Sequence, residues 1–221
     1  DRRIDVAHPQ QIPAGEKLME FVDVAALTIH DVKNRLAILA SRAEAKGDGE
    51  TLQVALEAAA TLTGLLVFYK AEKGSLGLDI DAHVPEDLLQ ELVLEIGKQT
   101  PLTVTADCAA APTLWFYDES LVRMVLLNAL YNALRHARQN ITLSALLSDG
   151  CLEFCIADDG PGYPDALLGS ALAMQPLSRE GTGLGLHLAS RVAALHSNAG
   201  QTGEIRLSND GGAVFCLRLP Q

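Results

Sequence analysis

Two asparagines, Asn128 and Asn132, stand four residues apart in the stretch Asn128-Ala-Leu-Tyr-Asn132-Ala-Leu-Arg135-His136. That spacing sets both carboxamides on one helical face. Leu121, Met124, Val125, Leu127, Ala129, Leu130 and Leu134 wrap them in apolar surface. A buried carboxamide without a partner costs about 1–3 kcal/mol. The pair must therefore bond to protein or face a cleft and bind a ligand. Two glycine-rich turns follow, Asp158-Asp159-Gly160-Pro161-Gly162 and Gly181-Thr182-Gly183-Leu184-Gly185. The first sets a carboxylate at the end of the apolar run Cys151–Ala157, beside glycines that let a backbone approach a flat ring. Alone, it reads equally as a turn. The second feeds a helix N-terminus, whose N–H groups and positive dipole end suit a phosphate. Alone, it reads as a flexible loop, and no strand directly precedes it, which argues against a dinucleotide-binding fingerprint. Far upstream lies His30, in Ile29-His30-Asp31-Val32-Lys33-Asn34-Arg35-Leu36. An imidazole with its ordinary pKa of about 6.5 is a nucleophile at neutral pH. Asp31 can orient it or take its proton, and Lys33 and Asn34 stand one turn on. Isolated, His30 would read as an ordinary surface residue of a helix.

Asn-x3-Asn-Ala, then Asp-x-Gly-x-Gly, then Gly-x-Gly-x-Gly, in that order, resembles the ATP-binding domain of the GHKL group. That group holds sensor histidine kinases, gyrase-type topoisomerases, Hsp90 and MutL. The box at residues 29–36 resembles the phosphoacceptor site of two-component histidine kinases and singles out that branch. The resemblance spans roughly residues 15–220. It implies that His30 takes the γ-phosphoryl group of ATP, that Asp31 helps accept its proton, and that Asn34 positions water in a reverse, phosphatase reaction. It implies Asp158 as acceptor for the adenine amine, Asn132 as a Mg²⁺ ligand and Asn128 as support for phosphate or metal-bound water. Arg135 and His136 would meet phosphates, although a plain solvated charge suits Arg135 as well. Gly160, Gly162, Gly181, Thr182, Gly183, Leu184 and Gly185 would complete the ATP site, with Pro164–Glu180 as a lid carrying Arg179.

Two departures are visible. Arg35 stands where this branch often has Pro, and no Phe lies between Tyr163 and Phe215. The second favours an alternative, a dimeric phosphotransfer or regulatory scaffold with a degenerate nucleotide domain. A third reading, a repair- or chaperone-type ATPase, wants an acid near Asn128 to activate water. Here Arg123 and Met124 precede it and Glu119 is nine residues upstream.

The elements that must position these residues are legible in the hydrophobic pattern. Residues 1–14 carry Pro9 and Pro13 and read as a lead-in. Leu18, Val22, Ala25, Ile29, Val32, Leu36 and Leu39 form a heptad seam. Gly47-Asp48-Gly49 breaks it, and Leu52, Leu56, Ala59, Leu62, Leu66 and Tyr69 line a second helix ended by Gly74. Such a hairpin over residues 15–74 cannot bury both seams alone, so a homodimeric four-helix bundle is expected. Residues 75–221 predict strands at 76–80, 102–106, 113–116, 141–147, 151–157, 204–208 and 213–219. Helices are predicted at 85–97, 118–139 and 184–196. The fold class is α+β: an antiparallel helical hairpin followed by an α/β two-layer sandwich of GHKL type, mainly antiparallel with three helices on one face.

The chain has 221 residues, 48% hydrophobic, and a net charge of −11. That balance argues against a general nucleic-acid footprint, which needs a basic face. Cys108, Cys151, Cys155 and Cys216 show no metal-type spacing and read as reduced thiols. No run reaches the ~18 apolar residues of a membrane helix and no signal peptide is visible. The expectation is a cytoplasmic catalytic core, without membrane contact of its own, whose sensor region lies elsewhere. A response-regulator receiver domain would be its partner. His187, His196 and Trp115 read as structural.

Overall fold

The computed structural model describes residues 14–72, 76–168 and 183–221; the side chains of residues 14–26, 68, 71, 72, 183 and 184 are not included. The lead-in at 1–13, the Gly74 stop, Arg179, Gly181 and Thr182 lie outside the described residues.

Helices α1 (Ala14–Lys46) and α2 (Gly49–Glu72) form the expected hairpin. Gly47 makes the turn at φ +68°, a conformation glycine adopts without steric cost. Asp48 then caps α2, its two carboxylate oxygens accepting from Thr51 N at 3.0 Å and Thr51 Oγ1 at 2.7 Å. Residues 49–67 of α2 are long and apolar enough on average to cross a membrane, with mean hydropathy 1.2. Polar Glu50, Gln53 and Glu57 interrupt the run, which the sequence therefore did not signal as a span. In the folded chain, α2 packs against α1 and against the following domain.

That domain is a five-stranded sheet in the order β2-β4-β5-β9-β8. Its strands are β2 (Thr103–Ala110), β4 (Asn140–Ser148), β5 (Cys151–Asp158), β8 (Glu204–Asn209) and β9 (Ala213–Pro220). Only the β2–β4 pair is parallel. Helices α3 (Pro85–Gly97), α4 (Glu119–His136) and α6 (Gly183–Leu195) cover one face. Alternation decides which face is wet. Leu152, Phe154 and Ile156 of β5 and Phe215, Leu217 and Leu219 of β9 are buried under the helices, whereas Glu153 and Arg218 point to the open side. Arg218 there pairs with Glu153 at 2.6 Å and Glu204 at 2.8 Å.

The expected strand at 76–80 is irregular backbone. The strand at that point is β1 (Asp81–His83), which pairs with β3 (Trp115–Tyr117) as a separate ribbon. Asp118 explains the shift: its Oδ2 accepts from Asp79 N at 3.0 Å and ties down the segment before β1. The same residue caps α4 through Leu121 N. Buried His196 completes this corner, its Nε2 accepting from Asp118 N at 3.1 Å and its Nδ1 bonded to Val192 O at 2.8 Å. Burial pushes its pKa below the usual imidazole value. Trp115 is core, at 3% exposure. Short pieces α5 (Asp165–Leu168), β6 (Ser197–Asn198) and β7 (Gln201–Thr202) were not anticipated.

The reading of four reduced thiols is corrected at two of them. Cys155 and Cys216, 61 residues apart in sequence, are bonded across β5 and β9. They are directly opposed in register, with Cα atoms 4.1 Å apart. Cys108 and Cys151 are free. Strand register across a distant pairing is invisible in Cys spacing. Closing a loop of that length stabilises a fold by about 2–4 kcal/mol. Cys155→Ser, or reduction of the wild type, should lower the melting temperature by roughly 5–15 °C in a calorimetric scan; an unchanged transition would show that the bond contributes nothing.

Candidate nucleotide site

Helix α4 has two different sides. Val122, Leu126, Leu130 and Ala133 are buried against the sheet and neighbouring helices. Asn128 and Asn132 are half-buried and line a cleft together with Arg135 of the same helix and Gly185 of α6. Both carboxamides face a cavity, and that of Asn132 is also hydrogen-bonded to the Tyr163 side chain. Gly185 allows the close approach, because a Cβ there would lie 2.8 Å from Asn128 Oδ1. Val125, Ala129, Leu186, Ala189 and Phe215 supply apolar lining. The cleft thus offers apolar walls suited to a flat ring and a polar end suited to phosphate.

Asp158 ends β5 and is buried at 8% exposure. Its Oδ1 accepts from Gly160 N at 2.7 Å and Ala213 N at 3.3 Å. Neither Asp158, Gly160 nor Gly162 is itself part of the cleft lining; Tyr163, just beyond them, is. The glycines answer to protein packing. A Cβ on Gly160 would meet His136 O at 2.5 Å, and one on Gly162 would meet the Asn209 carboxamide at 2.8 Å. Asn209 holds this loop by two bonds to Tyr163, its Oδ1 accepting from Tyr163 N at 2.7 Å and its Nδ2 donating to Tyr163 O at 2.9 Å. The Tyr163 phenol is pushed up to about 12, chiefly by burial and next by the Asp158 charge. Gly183 opens α6, one residue before the expected start at Leu184, and His136 is exposed at the end of α4.

His30 is exposed on α1, its side chain 66% accessible. Asn34 Nδ2 lies 3.3 Å from His30 Nδ1, and Asp31 Oδ1 lies 3.9 Å from the same nitrogen. The i, i+4 spacing of His30 and Asn34 produces the first contact. Nε2 makes no hydrogen bond among the described residues and is open to solvent.

Several residues of this region carried no signal. Tyr163 and Phe215 were not singled out for the cleft. Nor were Glu57, Ala60 and Thr61, which reach it from α2. Asp159 was quoted only as part of its turn, yet it organises the chain leaving α4. Its carboxylate accepts from Arg138 N at 2.7 Å, Gln139 N at 3.0 Å, and Asn140 N and Nδ2, both at 3.0 Å. No cluster of three or more His, Cys, Asp or Glu side chains among the described residues could hold a metal by itself.

Residues 117–221 match the model of the histidine kinase-, DNA gyrase B- and HSP90-like ATPases. Over that segment the chain is similar to this ATPase family. The signal transduction histidine-protein kinase AfsQ2 of Streptomyces coelicolor is 37% identical over 113 residues, 47% of this chain and 20% of AfsQ2. Two solved structures share the fold over most of the chain. The histidine kinase AdeS of Acinetobacter baumannii is 19% identical with a TM-score of 0.58, over 86% of this chain and 97% of that one. Full-length ShkA, solved in complex with AMPPNP, is 21% identical with a TM-score of 0.63, over 90% of this chain and 45% of its own. The curated relative is named a histidine kinase, and the solved neighbours share this chain's fold.

Backbone hydrogen bonds hold the Asp159 carboxyl down at about 2. Its folded pKa lies below its unfolded value, so its stabilising contribution is complete above the unfolded carboxylate pKa of about 4. It is lost as pH falls from there toward 2. Asp159→Asn should remove that part of the acid sensitivity in melts taken between pH 2 and 5; parallel curves for variant and wild type would refute the clamp.

Proposed function

We propose that the chain is the core of an ATP-dependent protein histidine kinase that phosphorylates its own His30. The observation that carries the proposal is the cleft shared by Asn128, Asn132, Arg135 and Gly185, in a chain that also presents an exposed His30 on its helical stalk. ATP is the substrate. Asp158 accepts from the adenine amine and so selects against guanine, whose carbonyl it would repel. Its buried carboxylate is oriented by Gly160 N and Ala213 N. Asn132 would offer its carbonyl oxygen to a Mg²⁺ ion, which would neutralise phosphate charge. Asn128 holds metal-bound water or phosphate, and Arg135 meets the phosphates. Gly181, Thr182, Gly183 and Leu184 contribute to holding the phosphates, as the resemblance implies.

His30 forms the new N–P bond as the P–O bond to the ADP leaving group breaks, and Asp31 takes the imidazole proton. The chain's part is to position the reactants and neutralise charge. The phosphoryl group then passes to an Asp of a response-regulator receiver domain; Asn34, already in contact with the His30 ring, positions water for the reverse reaction. Residues 15–74 act as the dimerisation and phosphotransfer unit and 75–221 as the ATP-binding unit. Val32 and Leu39 of the heptad seam are 40% and 44% exposed, and Leu27, Ile38, Val54 and Leu65 are exposed as well. A second copy of the hairpin would bury them in a four-helix bundle. The segment would work in the cytoplasm, joined to a sensor region.

Incubation with γ-labelled ATP should label the wild type with an acid-labile, alkali-stable phosphoryl group, and His30→Gln should abolish it; equal labelling of the variant defeats the assignment. Asp158→Asn should weaken ATP binding by on the order of 10–100-fold in calorimetry, because an amide donor would then face the adenine amine. Unaltered affinity would move the adenine elsewhere.

A further inference from the structure

One wall of the nucleotide cleft comes from the stalk. Glu57, Ala60 and Thr61 of α2 line it opposite Asn128, Asn132 and Arg135. The Glu57 carboxylate is bonded to Arg135 Nη2 at 2.5 Å through Oε2. Its Oε1 accepts from Gln53 Nε2 at 3.1 Å. Glu57 is the shielded partner, with 17% of its side chain accessible against 53% for Arg135. The helix is brought in closely enough for this by Gly64, two turns further on. A Cβ at Gly64 would come within 2.6 Å of Leu188 Cδ2 on α6.

A carboxylate of the stalk thus occupies the guanidinium that, on the proposed function, receives the nucleotide phosphates. Carboxylate and phosphate offer that guanidinium the same kind of oxygen fork. Both cannot sit on it without placing like charges at short range inside a partly closed cleft.

We infer that Glu57 is an internal competitor for the phosphate site: a phosphate-bearing nucleotide displaces it from Arg135 and thereby loosens the hold of α2 on the ATPase domain. The inference rests on Arg135 being a phosphate contact. Linkage makes the effect reciprocal. Whatever presses α2 onto the cleft weakens nucleotide phosphate binding, and bound phosphate weakens the seat of α2. Because Arg135 is half exposed, solvent screens the pair and the competition is modest, about 2–5-fold in affinity. Adenosine, which has no phosphate, does not compete.

The test is calorimetric titration of the full chain with Mg²⁺–ATP and with adenosine, for wild type, Glu57→Gln, Arg135→Gln and the double variant. Glu57→Gln is expected to tighten ATP by about 2–5-fold and to leave adenosine unchanged. The double variant should bind ATP no better than Arg135→Gln alone. Amide exchange across residues 49–72 of the wild type should rise with ATP and not with adenosine. An ATP affinity unchanged in Glu57→Gln overturns the competition. So does an equal gain for adenosine, which would make α2 a simple cover, and so does a gain that survives loss of Arg135. Exchange in α2 that ignores ATP overturns the release. By contrast, a wild type that binds no ATP, or an Arg135→Gln variant that binds it normally, overturns the site reading and the competition with it.

Discussion

The two-sidedness of α4 is the constraint on which the rest of the structure depends. Val122, Leu126 and Leu130 must stay in the core while Asn128, Asn132 and Arg135 stay on the cleft side. A rotation of the helix by a fraction of a turn would bury carboxamides and expose leucines. Burial of each large apolar side chain contributes about 1.5–3 kcal/mol, so the apolar face sets the rotation. Carboxylates fix the two ends. Asp118 caps the N-terminus and is itself braced by His196, while Asp159 catches three successive amides beyond the C-terminus. Asp158, its neighbour, thereby inherits a defined position at the end of β5.

The stalk serves two surfaces at once. One side of the hairpin leaves apolar residues exposed. The other brings α2 against α4 and α6 and completes the cleft. A helix shared in this way gives the nucleotide site and the stalk a common energetic term. The ion pair between Glu57 and Arg135 is its polar part, and the contact of Gly64 with Leu188 is its apolar part.

Much of the architecture was legible before any coordinates. The break at Gly47-Asp48-Gly49, the Pro85 helix start and the hairpin around Asp149-Gly150 all appear where local chemistry set them. Asp149 and Gly150 adopt the positive φ values, 50° and 73°, that a tight hairpin turn requires. The misplaced strand at 76–80 has a specific cause. Alternation of apolar residues was present, but the strand had to pair with β3, and Asp118 decides where that ribbon begins. The glycines of the Asp158 turn were legible as needed and illegible as to why. They were expected to admit a ring; the His136 carbonyl and the Asn209 side chain lie where their Cβ atoms would fall.

The sequence by itself determined the order of the elements, the shared face of Asn128 and Asn132, the exposed seat of His30 and the family resemblance. All of these are local: a 3.6-residue or two-residue period and a turn's dihedral preferences act within a few residues. Tertiary structure alone decided that Cys155 faces Cys216, that Tyr163 and Phe215 enter the cleft, that Asp159 clamps the end of α4, and that Glu57 reaches Arg135 across 78 residues of chain. Those pairings depend on strand register and on how one helix seats against another. Such long-range geometry emerges only when the whole core packs, because no single segment encodes its partner's position.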